Sequence, residues 1–252
     1  MKKTAIHNKL TDGTKSLAVL IDPDKVDNPS ELNALLRMAS ECYVDFLFVG
    51  GSHLMQNNLS DVIREIKSTT DIPVVLFPGS TMQIDKQADA ILFLSLISGR
   101  NPELLIGQHV VAAPILKNSG LEIIPTGYML ISNERNSSVA YMSNTAPIPP
   151  DKHSVAASTA MAGEMLGLHA IYMDAGSGAP QIIPPRMISA VRKNTSIPLI
   201  AGGGINSVDK ARKVLDSGAD VIVIGNAIEK NPELMIGVSE LIYTSNQALN
   251  VH

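Results

Sequence analysis

Hydrophobic residues fall into short, nearly unbroken runs along the whole chain. Runs rich in Val, Ile and Leu recur at Leu17–Asp22, Tyr43–Gly50, Pro73–Pro78, Ala90–Leu94, Ile123–Ile131, His169–Asp174, Pro198–Gly203 and Asp220–Gly225. A strand that is apolar on both faces is buried on both faces, as in a parallel sheet covered by helices. These eight runs are therefore predicted strands. Between them the pattern changes to a helical period at Glu31–Ser40, Leu59–Thr69, Met187–Asn194 and Val208–Ser217. Asn28-Pro29-Ser30 and Ser207 supply helix start signals, and Gly218 stands where a helix C′ residue should.

Two segments are less regular. His109–Lys117 is apolar enough to be a ninth strand, but Asn101-Pro102-Glu103 ahead of it reads as a helix opening, so a helix is expected. Asn133–Lys152 is polar, holds three prolines and has no period. It is expected to be a long loop after the fifth strand, and such loops tend to cover active sites.

Eight strands alternating with helices over 252 residues predict a single-domain (β/α)8 TIM barrel of the phosphate-binding type, spanning residues 1–252. An open, doubly wound sheet is the alternative reading of the same alternation. Composition fits a large core, with 45% hydrophobic and 17% charged residues. The net charge of −4 comes with no basic stripe, which argues against nucleic acid as a partner. No apolar run approaches the roughly 18 residues of a transmembrane span, and Met1–Ser16 lacks the apolar stretch of a signal peptide. The lone Cys42, in an apolar stretch, reads as a buried thiol and suits the reducing cytoplasm.

In a barrel of this kind the chemistry sits at the C-terminal strand ends. Three consecutive ends are glycine-rich: Gly176, Ser177 and Gly178 after the sixth strand, Gly202 and Gly203 at the seventh, Gly225 and Asn226 at the eighth. Glycine lets backbone N–H groups approach an anion without a Cβ in the way. The loops after strands seven and eight are the usual phosphate site of such barrels. Three loops together point to phosphate binding, although any one of them could be a tight turn alone. Asp22, at the first strand end, is the metal candidate, with Ser52 at the second as a further oxygen. Mg2+ keeps waters and takes substrate phosphates, so one or two protein oxygens suffice. Asp22 could equally cap the following turn. His53, His109, His153 and His169 show no paired-ligand spacing and read as surface or packing residues.

The motifs LIDPDK at Leu20–Lys25, FVGGS at Phe48–Ser52, PTGY at Pro125–Tyr128, YMDAGSGA at Tyr172–Ala179, AGGGI at Ala201–Ile205 and IGN at Ile224–Asn226 together resemble the geranylgeranylglyceryl phosphate synthase family, over about residues 15 to 235. The resemblance implies a Mg2+-dependent prenyltransferase acting on sn-glycerol 1-phosphate and a prenyl diphosphate. It forms the first ether bond of archaeal-type lipids and releases diphosphate. By position, Asp22 and Ser52 would bind Mg2+. Tyr172, Met173, Asp174, Ala175, Gly176, Ser177 and Gly178, with Gly202, Gly203, Gly225 and Asn226, would bind sn-glycerol 1-phosphate. Asp174, where many members have Glu, would accept the proton of the glycerol hydroxyl or fix its direction. Tyr128 and nearby strand residues could line a groove for the prenyl tail or simply fill the barrel, and Ser98 and Arg100 could touch the diphosphate. The resemblance further implies a homo-oligomer.

Rival readings are an isomerase or aldolase-like barrel and a non-catalytic phosphate sensor. An isomerase needs an acid/base pair facing one substrate carbon. A Schiff-base aldolase needs a strand lysine, and none of the eight runs contains one. A sensor has no use for Asp22 and Ser52.

Overall fold

The computed structural model describes residues 5–132 and 138–249. Eight strands close into a barrel in sequence order, each parallel to its neighbours: β1 Ser16–Ile21, β2 Phe46–Val49, β3 Val74–Leu76, β4 Ala90–Leu96, β5 Glu122–Leu130, β6 Ala170–Asp174, β7 Leu199–Gly202 and β8 Val221–Ile224. The ring is completed by β1 on β8, with Ala18 opposite Val223. The (β/α)8 reading therefore holds, and the open-sheet alternative does not.

Strand alternation sorts side chains into two apolar layers. Ala18, Phe46, Phe48, Val75, Leu92, Tyr128, Tyr172 and Val223 point into the barrel. Leu17, Val19, Leu47, Val49, Met173, Ile222 and Ile224 point outward to the helices. Those helices include α2 Pro29–Glu41, α3 Leu59–Thr69, α4 Gln108–Lys117, α6 His153–Met165, α7 Pro185–Arg192, α8 Val208–Asp216, the short α9 Asn226–Lys230 and α10 Glu233–Leu249. Truncating a fully buried residue such as Leu47 to Ala would cost about 2–5 kcal/mol.

The start signals act as expected. Asn28 accepts from the Ser30 N–H at 2.9 Å, and Ser207 from the Lys210 N–H at 3.3 Å. Gly218 takes φ +110° after α8. Asn101 accepts from the Glu103 N–H at 3.1 Å, and the chain passes through a π-turn at Glu103–Gly107 into α4, so this region is helix and not a ninth strand.

Several strands are shorter than the apolar runs. The second begins at Phe46, not Tyr43, because Tyr43 turns out of α2 with φ +52° and is solvent-exposed. The stretch expected as a loop after β5 contains a helix, α5 Ser138–Ser143, and a bridge between Ile131 and Ile148; its residues 133–137 lie outside the described residues. Buried Ala140 and the half-buried Val139 pack on the barrel interior, and that tertiary contact outweighs the polar local sequence.

The polar N-terminus also forms a helix, α1 Ala5–Thr11, whose Ile6 and Leu10 join the interior cluster. The Glu122 carboxylate accepts from the N–H groups of Ile6 and His7 at 3.0 and 2.8 Å, which satisfies the open helix end. Other carboxylates serve the same N-terminal rim. Asp45 accepts from the Leu17 N–H, Asp89 from that of Val74, and Asp220 from that of Leu199, at 2.8–2.9 Å. At this end Asp45, Asp89 and Asp220 tie strand starts and Glu122 ties the start of α1.

Candidate active site

At the opposite end the strand termini open into a cavity of about 910 Å³. The cavity has two parts. The first is polar and is formed by the loops after β1, β2, β6, β7 and β8. Asp22, Ser52, Tyr172, Asp174, Gly176, Ser177, Gly178, Gly203, Gly225 and Asn226 all line it. The second is an apolar channel that passes between the outward face of β4, at Ile91 and Phe93, and the facing side of α4, at Ala112 and Leu116.

Three residues expected to contact a ligand do not present side chains to the cavity. Met173 and Ala175 face the helix layer, because strand parity sends them away from Tyr172 and Asp174. Gly202 lies beneath the Tyr172 hydroxyl, where a Cβ would come within 2.6 Å of that oxygen. Its carbonyl accepts from the Ala175 N–H at 3.0 Å and so belongs to the sheet ladder. Ser98 and Arg100 are also spent elsewhere. The Ser98 hydroxyl accepts from the Leu130 N–H, and Arg100 donates to the carbonyls of Ile97 and Gly99.

Asp174 is the buried carboxylate of the polar chamber. Its Oδ2 accepts from the Tyr128 hydroxyl at 2.5 Å and its Oδ1 from the Gly176 N–H at 2.7 Å. Burial pushes its carboxyl above the ordinary value of 3.8, and the two donors partly offset this. Burial likewise raises the Tyr128 and Tyr172 phenols well above 10, so both remain neutral donors. Phe77 stacks on Tyr172 with ring centres 4.8 Å apart and tilts against Tyr128 at 6.0 Å. These rings form an aromatic floor beside Asp174.

Gly203 explains why this loop needs glycine. It adopts φ +83°, and a Cβ there would lie 2.9 Å from the Ala175 nitrogen, the Gly176 nitrogen and Asp174 Oδ1 alike. The backbone of β7 therefore presses directly on the loop that holds Asp174.

Asp22 is half-buried, and desolvation raises its carboxyl above 3.8 despite the Asp24 N–H and the Lys25 ammonium. Its Oδ1 accepts from the Asp24 N–H at 3.2 Å, so it also makes the turn cap that its sequence context allowed. Gly51 adjoins this carboxylate, which brings the β1 and β2 loops together. Among the described residues no three His, Cys, Asp or Glu cluster as a metal-ligand group.

Other lining residues gave little sequence signal. Gln83 is buried; its amide oxygen accepts from the Gly79 N–H at 3.1 Å, and its Nε2 donates to the Gly51 carbonyl at 2.9 Å, tying the β2 and β3 loops together. His109 has a packing role, edge-on to Phe93 at 4.6 Å and bonded to Ser95 at 3.0 Å, but it also lines the channel. Burial lowers its imidazole below 6.5, which keeps the channel wall uncharged at neutral pH. His53 lines the cavity rim, and His169 packs on His7.

A model described as the PcrB family matches residues 13–241. The chain belongs to the PcrB family. Its relatives bear out the resemblance carried by the motifs. It is 50% identical over 248 residues, 97% of this chain and 98% of the other, to the geranylgeranylglyceryl phosphate synthase of Chitinophaga pinensis. It is 43% identical over 226 residues, 89% of this chain and 88% of the other, to the protein of the same name in Thermococcus gammatolerans. Among solved structures, the (S)-3-O-geranylgeranylglyceryl phosphate synthase of Thermoplasma acidophilum, in complex with its substrate sn-glycerol-1-phosphate, superposes with TM-score 0.88 at 32% identity, covering 96% of this chain and 99% of that one. No helix among the described residues is long and apolar enough to cross a membrane.

Proposed function

We propose that the protein is a prenyltransferase. It joins the primary hydroxyl of sn-glycerol 1-phosphate to the allylic carbon of geranylgeranyl diphosphate, or of a prenyl diphosphate of similar length. The product is an ether, the first ether bond of archaeal-type lipids, and diphosphate leaves. The observation that carries this reading is the two-part cavity, in which a glycine-lined polar chamber and an apolar channel open into one space that also holds Asp174. A phosphorylated polar acceptor and a long hydrocarbon donor are the two substrates such a space fits. The relatives' shared name and the acceptor bound to the Thermoplasma protein support it.

The residues divide the work. The N–H groups of the Gly176–Gly178 and Gly203 loops, with the Asn226 amide, suit the phosphate of the acceptor. Its hydroxyl is then held at Asp174. A carboxylate has about four acceptor sites. The bonds from Tyr128 and Gly176 therefore leave Asp174 able to accept the glycerol O–H, orient it and take its proton as the new C–O bond forms. The allylic carbon loses its bond to diphosphate oxygen and carries positive charge, which the faces of Phe77, Tyr128 and Tyr172 can stabilise. The apolar channel takes the tail and excludes water from the reacting carbon.

The half-buried Asp22 carboxylate and the neighbouring Ser52 suit Mg2+, a hard ion content with oxygen ligands and few protein contacts. When bound, Mg2+ neutralises the diphosphate so that it can leave. The buried, unpaired Cys42 is in keeping with a cytoplasmic protein. Exposed Val110, Val111 and Ile115 on α4, with Met165 and Leu166 at the end of α6, are in keeping with a homo-oligomer.

The test is turnover of labelled sn-glycerol 1-phosphate with geranylgeranyl diphosphate and Mg2+, read as label in an organic-extractable ether. Product is expected from the sn-1 acceptor and not from the sn-3 enantiomer. It should be lost with EDTA and in Asp22→Ala. Folded protein that makes no ether with a prenyl diphosphate of any length overturns the proposal.

A further inference from the structure

Lys25 closes the short turn Pro23–Lys25 that follows β1, and its side chain crosses the cavity rim to the far side of the barrel seam. Its Nζ donates to Asn226 Oδ1, approaches Glu229 Oε2 at 3.4 Å and lies 3.9 Å from Asp22 Oδ2. Asn226 continues the path, donating from Nδ2 to the Ser177 hydroxyl at 3.2 Å. One ammonium thus stands between the Asp22 loop and the loops after β8 and β6.

The charges of the cavity make this position informative. Asp22, Asp174 and Glu229 line it, against two lysines, Lys25 and Lys230. This wall is to receive a phosphate and a diphosphate, both strongly anionic, in adjacent places. Lys25 makes its close contact with the uncharged Asn226 amide oxygen, and neither carboxylate holds the ammonium tightly. Its side chain is 40% exposed, and both carboxylate contacts are long. Exposed pairs of that length contribute little to stability and exchange partners readily.

We propose that Lys25 is a substrate-binding residue shared by the two phosphorylated substrates. Its ammonium leaves Glu229 and donates at once to the phosphate of sn-glycerol 1-phosphate beside Asn226 and to the diphosphate beside Asp22. The inference rests on the reaction proposed above, since it requires both anions in one cavity. Glu229 is the resting partner that keeps the lysine over the seam when the site is empty.

The test measures binding of two unreactive probes, sn-glycerol 1-phosphate alone and inorganic diphosphate with Mg2+, by titration calorimetry. Wild type, Lys25→Gln, Lys25→Arg and Glu229→Gln are compared. Loss of a charge-assisted bond predicts that Lys25→Gln weakens each probe by about tenfold or more. The salt dependence of both affinities should flatten. Lys25→Arg should restore most of the loss, and Glu229→Gln should tighten both probes. The exposed side chain predicts an unchanged melting temperature. Lys25→Gln binding both probes within twofold of wild type overturns the proposal, and weakening of one probe alone overturns the shared role. Wild-type turnover decides the reaction separately. Ether formation with unaltered probe binding in Lys25→Gln removes only the lysine, whereas lysine-dependent probe binding without ether formation removes only the reaction.

Discussion

Tyr128 and Asp174 are diagonal neighbours on the inward face of the barrel, and the phenol of the first donates to the carboxylate of the second at 2.5 Å. Burial raises the Asp174 carboxyl and the Tyr128 bond opposes that rise. A base that must be ionised to accept a proton sets the acid limb of the rate profile. Tyr128→Phe should therefore move the acid limb of kcat/KM to higher pH and lower stability by about 1.5–3 kcal/mol, the worth of a hydrogen bond to a charged group. A pH-rate profile with an unmoved limb would show that Asp174 does not set it.

Asp174→Asn should lower kcat by about 10²–10⁴, the usual contribution of a positioned acid or base. Its effect on stability has the opposite sense to its effect on rate. With a folded value above 3.8, the native state binds the Asp174 proton more tightly than the unfolded chain does. That stabilisation is full below the unfolded value and is lost as pH rises through the folded one. The asparagine variant has no such loss, so above that window it should melt no lower than wild type. A melting point well below wild type at pH 8, measured by calorimetry, would mean that the ionised carboxylate is a net structural asset.

Gly203→Ala tests the close approach of β7 to the Asp174 loop. The left-handed conformation alone costs an L-residue about 1–2 kcal/mol, and the new methyl would meet two backbone nitrogens and Asp174 Oδ1 at 2.9 Å. The loop must shift as a unit. Weaker binding of sn-glycerol 1-phosphate and lower kcat are expected together, with a smaller change in KM for the prenyl donor. An unaltered acceptor affinity in a folded variant would detach this loop from acceptor binding.

What could be read from the sequence follows from how local each feature is. The eight strands were legible because a strand buried on both faces must be apolar throughout. Asp174 and the glycines were legible because they end such runs. Met173 and Ala175 were included with their neighbours by motif, and only the inward or outward parity of β6 separates them. The α1 helix was not legible, since its fixed contacts, Ile6, Leu10 and the bonds to Glu122, depend on a strand more than a hundred residues away. The α5 helix was hidden in the same way. Gln83 is one polar residue in an unremarkable stretch until the fold brings Gly51 and Gly79 to its amide.

That amide gives a further prediction. Gln83→Leu removes both bonds from the Gly51 carbonyl and the Gly79 N–H; Gly51 is half-buried and Gly79 exposed, so the cost is about 0.5–1.5 kcal/mol for each bond lost. The loop so loosened carries Ser52. The Mg2+ concentration for half-maximal activity should rise, while the KM for sn-glycerol 1-phosphate, whose loops lie across the cavity, should change less. A Mg2+ activation curve that superposes on wild type would place Ser52 outside the metal site or show that its loop holds without the clamp.

The apolar channel between β4 and α4 gives the sharpest test of donor binding. Ala112 is buried and faces Ile91 and Phe93 across the space. A larger side chain there fills volume that a long prenyl tail would occupy, but leaves the polar chamber and Asp174 untouched. In hydrophobic pockets a methylene that no longer fits costs about tenfold or more in specificity. Ala112→Phe should therefore lower kcat/KM for geranylgeranyl diphosphate by at least that factor, spare a shorter farnesyl donor, and leave the affinity for sn-glycerol 1-phosphate unchanged. Calorimetric binding of the acceptor distinguishes a blocked channel from a damaged fold. If both donors lose equally while the acceptor binds normally, the tail does not run past α4, and it must leave the chamber through the open mouth of the barrel.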